Sequence, residues 1–253
     1  VLTKAKLKEI LPHLTYIRIN ISAGEKKRYA EIMGVKESYF DRVVQNIKDM
    51  VEIKKQNNLS VTIGLQMVLM PEYADQVIPL AKLGKKLQPD YLIIKHCSDN
   101  EDGDLGVDYS GYKKIFGLLK QAETYSDKNY KVKVKWSKIM SGENRSYSRC
   151  YGAPFMIQIS GSGLVAPCGM LFNEKYKRYH IGNICEKRFK EIWKSEEYWE
   201  VMNHLASAQF DAKSMCGTLC LQHKVNEALD NHVKGVKRLK QISNKKIPHI
   251  NFI

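Results

Sequence analysis

The sequence predicts an α/β protein whose parallel sheet is followed by a smaller, cysteine-bearing α+β region. Apolar segments that resemble strands, such as 60–70, alternate with segments whose apolar residues recur at helical spacing. This alternation is typical of parallel strands that helices bury on both faces. The chain has 253 residues, of which 43% are hydrophobic, enough for one large domain or two smaller ones.

Each predicted element of the first part has its own signal. Ser38 and Asp41 suggest a capping box at the start of a long helix. We count three strand–helix units, about half of a barrel, so we expect that N-terminal sequence precedes Val1. The predicted strands cover 14–22, 60–70, 91–97 and 130–136, and the further helices cover 73–87 and about 110–124.

Charge and hydropathy restrict the class of protein. The net charge is +14, which fits either an acidic partner or a solvated basic surface. The lysines are spread along predicted surface helices, which favours the solvated surface, and only 234–246 resembles a basic tail. No apolar run reaches the roughly 18 residues of a membrane span, and no signal-peptide pattern is present. We therefore predict a cytoplasmic protein without a membrane partner.

Cysteine spacing provides the strongest indication of function. Gly161 and Gly163 predict a sharp turn in a hairpin at 155–167, which brings the first cysteine pair together. Iron and zinc both accept four thiolates. A zinc ribbon normally uses two C-x2-C knuckles, which are absent, and four buried free cysteines are the remaining alternative. The two pairs are Cys150 with Cys168 and Cys216 with Cys220.

These cysteines lie in a recognisable order of motifs. Cys150-x12-Gly163-x4-Cys168, then GNI and EIW, then Cys216-x3-Cys220 running into VNEAL, resembles the C-terminal extension of radical SAM enzymes called SPASM or twitch. The resemblance covers about 150–229. It implies that the four paired cysteines are ligands of an auxiliary 4Fe-4S cluster.

The departures from the family pattern favour the shorter, one-cluster twitch form. Ser207 and Phe210 stand where a full SPASM domain has cysteines, and no cysteine follows residue 220. Cys185 lies outside the motif, and we expect it to be a packing cysteine. His223 makes the second pair resemble the C-x3-C-x2-C loop of the SAM-binding cluster, but its place far downstream of the strand–helix repeats excludes that role.

The first part also resembles radical SAM enzymes, because YIRINIS is similar to their fourth barrel strand. The resemblance implies that Ser22 contacts S-adenosylmethionine, and Asn20 points to the same side. Capping of the strand end is the alternative. Gln66 interrupts an apolar strand and needs a polar partner, which S-adenosylmethionine, substrate or a backbone carbonyl could be. Lys95 and Cys97, at a strand end, are the catalytic candidates.

The implied architecture is the C-terminal half of a partial (β/α)6 TIM-like barrel at 1–149, a twitch/SPASM domain with a β-hairpin at 150–230, and a basic tail at 231–253. The C-x3-C-x2-C motif and a GGE strand end are absent. We therefore expect this chain alone to be inactive. S-adenosylmethionine and a second 4Fe-4S cluster would belong to the full-length parent.

The implied function is that of a radical SAM oxidoreductase or maturase. Such an enzyme abstracts hydrogen from a peptide or a small sugar- or cyclitol-like molecule, and flavodoxin or ferredoxin donates the electron. The auxiliary cluster would accept an electron or bind substrate. The alternatives are a zinc-bearing basic module for nucleic acid and a catalytically inactive scaffold. Nucleic acid is not expected, since no aromatics are interleaved with the basic run. The acidic loop 98–104 is either a lid or a solvated turn.

Overall fold

The computed structural model describes residues 2–100, 102–141, 145–216 and 220–239. The chain divides into two compact units. Of the described residues, the first unit contains 2–97 and 107–141, and we call it the sheet unit. The second contains 98–100, 102–106, 145–216 and 220–239, and we call it the cysteine unit. Most of the predicted basic tail, from residue 240 onward, lies outside the described residues.

Four parallel strands form the sheet of the first unit, in the order β1-β2-β3-β4. The mixed α/β prediction is therefore confirmed. Each of the four strands that the sequence predicts is present, including the last one, whose alternating lysines leave it only one apolar face. The strands are β1 Tyr16–Asn20, β2 Thr62–Leu69, β3 Tyr91–His96 and β4 Lys131–Val134.

The helices of the sheet unit differ from the sequence prediction in three places: the N-cap of α3, the residues before α4, and the division of the helix predicted at about 110–124. Glu37 is the N-cap of the long third helix and no side chain caps it, so the predicted capping box of Ser38 and Asp41 is wrong. Residues Pro71–Gln76 form a 3-10 turn before α4. Ile115 separates α5 from α6. The helices are α1 Lys4–Ile10, α2 Lys26–Met33, α3 Ser38–Gln56, α4 Val77–Leu87, α5 Gly111–Lys114, α6 Phe116–Glu123 and α7 Trp136–Ser141.

One face of the sheet carries the core of the unit. Side chains alternate along a strand, so Ile63, Leu65 and Met67 share one face of β2. They are fully buried in one cluster with helix residues such as Ile47 and Leu80. Each such side chain stabilises the fold by about 1.5–3 kcal/mol. The opposite face carries polar side chains, so the expectation of strands apolar on both faces is wrong.

The cysteine unit is built from shorter elements around a smaller core. Its strands form an antiparallel sheet in the order β5-β6-β7, and β5 and β6 make the hairpin that the sequence predicts near 155–167. Buried aromatic residues such as Tyr179, Tyr198 and Phe210 lie in the core. The elements are β5 Gln158–Ile159, β6 Leu164–Ala166, β7 Gly182–Asn183, α8 Phe189–Trp193, α9 Glu196–Ala206, α10 Ala212–Met215 and α11 His223–Val233.

No helix within the described ranges is both long enough and apolar enough to cross a membrane.

Candidate functional site

The four paired cysteines line one cavity of the cysteine unit, with a volume of about 50 Å³. All four are half-buried. The rest of the wall is largely apolar and includes Ala153, Leu171, Leu205 and Phe210. The structure therefore brings the four predicted metal-ligating residues together: Cys150, Cys168, Cys216 and Cys220.

Local turns position each thiol. Gly163 has a φ of +83°, which a glycine adopts without strain, and a Cβ there would also crowd the side-chain oxygen of Asn183. This turn closes the hairpin, and Cys168 lies two residues beyond the end of β6. Cys150 is held by its own N–H, which donates to the Leu205 carbonyl at 2.9 Å. Cys216 is the C-cap residue of α10.

Burial keeps the Cys150 and Cys216 thiols in the neutral form when no metal is bound. It raises the pKa of Cys150, and it raises the pKa of Cys216 to about 12. The other paired cysteines raise both pKa values further, so the thiols are close enough to repel one another as thiolates. Four thiolates need a bound cation to coexist here, and iron or zinc ions would provide that charge.

Three polar side chains around the thiols were not found by sequence reasoning. Asn226 donates from Nδ2 to the Cys150 sulfur at 3.5 Å, and its Oδ1 accepts the Gly152 N–H at 2.7 Å. Gln222 lines the cavity. The Tyr147 hydroxyl lies 3.5 Å from the Cys220 sulfur. One signal was available, since polar residues recur every four positions along α11 and all three are buried: Gln222, Asn226 and Asp230.

The arrangement fits a cluster better than a single metal ion. In the part of the chain that the structure describes, no three His, Cys, Asp or Glu side chains are grouped tightly enough to hold one ion. A zinc ion needs four sulfurs about 2.3 Å from one point. A 4Fe-4S cluster instead takes one thiolate on each iron, so its four ligands lie around the wall of a cavity. The donor set and its spread thus fit an iron–sulfur cluster.

The remaining positions of the motif have structural surroundings. Cys185 is exposed, with its sulfur 3.8 Å from the Ser162 carbonyl, so the expectation of a packing cysteine is wrong. It follows the surface strand β7, and the Asn183 side chain accepts its N–H, which holds it outside the core. Ser207 donates to the His204 carbonyl at the end of α9 at 2.8 Å, and Phe210 packs in the core.

In the sheet unit, the predicted cofactor-side residues bond to one another and to their own sheet. The Gln66 amide donates to Asn20 Oδ1 at 2.6 Å and accepts from Arg18 Nη1 at 3.2 Å. Its partners are thus side chains of β1, which the sequence pattern alone does not reveal. Ser22 is buried, and its hydroxyl donates to the Val68 carbonyl at 3.4 Å. Asn20 is exposed at the end of β1.

The two catalytic candidates lie in or just after β3. Lys95 is half-buried on the polar face of the sheet. The Cys97 backbone N–H donates to the Tyr112 hydroxyl at 3.0 Å, and that hydroxyl donates to the Leu69 carbonyl. These bonds fix the chain at the end of β3 and leave the chemical role of both side chains a prediction.

The described part of the acidic loop 98–104 is folded on itself. The Asp99 carboxylate is buried and accepts the backbone N–H of Leu105 at 3.0 Å and of Asn100 at 2.9 Å. Asn100 in turn donates to Asp104. A larger cavity of about 540 Å³ in the cysteine unit is lined by this loop and by Cys168.

A comparison with protein families matches this unit. Residues 150–221 match the SPASM family, described as an iron-sulfur cluster-binding domain. Residues 150–221 are thus similar to SPASM domains. The matched segment contains the four paired cysteines that line the cavity and the hairpin turn at Gly163.

Solved structures share the fold over most of the chain. SuiB from Streptococcus suis bound to S-adenosylmethionine matches with a TM-score of 0.56 at 16% identity, covering 80% of this chain and 48% of that chain. SuiB bound to its precursor peptide SuiA matches with a TM-score of 0.54 at 16% identity, covering 80% and 47%. The chain thus spans about half the length of these solved chains. No curated protein matches the sequence.

Proposed function

We propose that this chain is part of a radical SAM enzyme, with the sheet unit as the C-terminal half of its barrel and the SPASM domain as the carrier of one auxiliary 4Fe-4S cluster. The observation that carries the proposal is the single cavity lined by four thiols inside the matched segment. The proposed ligands are Cys150, Cys168, Cys216 and Cys220.

The protein's own groups have defined tasks at this site. The apolar wall keeps water from the sulfurs, and Asn226 and Tyr147 lie within hydrogen-bond distance of two of them. Such bonds stabilise negative charge on sulfur and raise the reduction potential of a cluster. When bound, S-adenosylmethionine with its own cluster supplies a radical that abstracts hydrogen, and the auxiliary cluster accepts an electron or binds substrate.

The larger cavity is the proposed place for the substrate. Cys168, Gln158 and Met170 line both cavities, so a molecule in the larger one would lie at the edge of the cluster. Its volume of about 540 Å³ falls in the range of small-molecule sites, and it would also hold a few residues of a peptide. The complex of SuiB with its precursor peptide supports the peptide, and a sugar- or cyclitol-like molecule is the other candidate.

The test is cleavage of S-adenosylmethionine by the natural polypeptide that contains this chain, with reduced flavodoxin or ferredoxin as electron donor. We expect 5′-deoxyadenosine from the unaltered protein and from Cys185→Ala, the control that removes a thiol outside the cavity. Cys168→Ala should still cleave S-adenosylmethionine but should lose conversion of substrate. Substrate conversion that proceeds without S-adenosylmethionine would refute the proposal, and a folded protein that never cleaves it would favour the inactive scaffold.

A further inference from the structure

Two lysines lie side by side on the polar face of the sheet. Ile94 pairs with Val134, and the Lys135 N–H donates to the Ile94 carbonyl at 2.8 Å. Lys95 and Lys135 therefore occupy neighbouring positions in the same row, with backbones roughly 5 Å apart. Residues in one row of a parallel sheet point to the same face. Two like charges placed in this way destabilise a sheet.

No described residue neutralises these two lysines. Neither ammonium group forms an ion pair with a carboxylate or a hydrogen bond to any residue that the structure describes. Both side chains are half-buried. Burial lowers the pKa of both, and the charges of Lys138 and Arg18 lower both further, whereas Cys97 acts on the pKa of Lys95 in the opposite direction. The row thus concentrates positive charge at a cost in stability, which is typical of a binding site rather than of a structural feature.

Arg18 is held over the same face by uncharged groups. Its Nε donates to the Tyr91 hydroxyl at 3.1 Å, and its Nη1 donates to Gln66 Oε1 at 3.2 Å. The Tyr91 ring lies across Gly64, where any Cβ would overlap it. These two bonds fix the orientation of the Arg18 guanidinium on the same face as the two lysines.

We propose that this face binds a ligand group with more than one negative charge, such as a phosphate ester or a diphosphate, through Lys95 and Lys135 with support from Arg18. A single carboxylate would neutralise only one of the two lysines, whereas a phosphate ester carries about 1.5–2 negative charges at neutral pH. The two lysines lie at the carboxyl end of the strands, where parallel sheets bind ligands. The assignment of this anionic group to the substrate rests on the proposed function. The anion site itself does not depend on that function.

The test is isothermal titration of pyrophosphate into the full chain with its cluster reconstituted, at low and at moderate salt. We expect binding by the unaltered chain and at least tenfold weaker binding by Lys95→Gln/Lys135→Gln. Lys82→Gln, which removes an exposed lysine of α4, is the matched control and should bind as the unaltered chain does. An equal loss in Lys82→Gln would overturn the site, since attraction would then depend on net charge alone.

Two further measurements distinguish the charge of the ligand and separate the anion site from the proposed function. Inorganic phosphate should bind more weakly than pyrophosphate, and acetate should not bind; acetate binding equal to that of pyrophosphate would overturn the multiply charged ligand. Pyrophosphate binding by this chain, when the natural polypeptide that contains it folds but cannot cleave S-adenosylmethionine, would refute the proposed function and support the site. Cleavage of S-adenosylmethionine by a protein that does not bind pyrophosphate would overturn the site alone.

Discussion

The sheet unit and the cysteine unit are stabilised in different ways. The sheet unit has strands of four to eight residues and buries a continuous aliphatic cluster on one face of its sheet. The cysteine unit has strands of two or three residues, and half-buried Cys150, Cys168 and Cys216 pack against its smaller core. Burial of apolar surface is enough to stabilise the fold of the first unit. In the second unit, thiols occupy positions at the core where aliphatic side chains would otherwise pack. We therefore expect the stability of the second unit to depend on the proposed cluster.

The largest effect should follow from removing the iron. Chelation under anaerobic conditions would leave four buried thiols without the cation that links Cys150, Cys168, Cys216 and Cys220, and metal binding of this kind contributes directly to folding. We expect amide hydrogen exchange in residues 150–233 to become faster by more than tenfold, and exchange in β2 and β3 to stay unchanged.

The same experiment can break the comparison. Cys185→Ala should keep the slow exchange of the loaded protein, because its exposed thiol lies outside the cavity. If removal of the iron accelerates amide hydrogen exchange equally in both units, the sheet unit is not independently stable, and the proposed difference between the two units is wrong.

The next effect should come from Gly64→Ala in the sheet unit. A Cβ at Gly64 would overlap the ring of fully buried Tyr91, which has no room to move. Overpacking of this kind lowers the free energy of unfolding by about 1–3 kcal/mol. Urea denaturation followed by the fluorescence of Trp136 in this unit provides the measurement.

Gly117→Ala is the matched control for that substitution. Nothing lies within 4 Å of a Cβ at Gly117, which is an exposed position in α6. Alanine there should raise the free energy of unfolding by about 0.5–1 kcal/mol, through its better helix propensity. Two glycine substitutions with the same sign of effect would contradict the packing described for β2 and β3.

A smaller effect is expected from Asn226→Ala in the cysteine unit. The change removes the amide next to the Cys150 sulfur and leaves the buried Gly152 N–H without its partner. An unsatisfied buried donor costs about 1–3 kcal/mol. We expect a lower midpoint of thermal unfolding and a lower reduction potential of the loaded cluster. Asn231→Ala, on the same helix but with its side chain outside these contacts, should change neither quantity.

The smallest effect concerns the lysine row. Replacing Lys95 and Lys135 with Met should raise the free energy of unfolding near pH 7 by about 0.5 kcal/mol, because it removes an unfavourable like-charge pair. The pKa of each lysine is lowered in the folded state, so the unfolded chain binds protons more strongly. The penalty is present below the lowered pKa values and disappears as the pH rises towards 10.5. The difference between variant and unaltered chain should therefore shrink above neutral pH, and a difference that grows with pH would contradict it.

Sequence reasoning located the elements that depend on local pattern. The strand predicted at 60–70 and the helix predicted from Ser38 lie within a few residues of β2 and α3, since hydrophobic periodicity reports which side chains are buried. The cysteine pairs were found from spacing, because turn geometry within a short segment restricts where a thiol can lie. These are the features that neighbouring residues determine.

Contacts between distant segments escaped the same reasoning. Asn226 lies 76 residues from the sulfur it contacts, and only the tertiary fold brings them together. Gln66 was identified as needing a partner, but its partners Arg18 and Asn20 come from the register of two strands that are separated by two helices. Cys185 was expected inside because cysteine is commonly buried, yet the turn after β7 places it at the surface.

The proposed 4Fe-4S cluster on the four thiols of the SPASM-like segment is tested most directly by the content of iron, acid-labile sulfide and zinc in anaerobically purified protein. We predict about four irons and four sulfides per chain. Both should be lost in Cys150→Ala and Cys168→Ala and kept in Cys185→Ala. One zinc per chain without sulfide, in protein from iron-replete cells, would contradict the account and identify the domain as a zinc-bearing module.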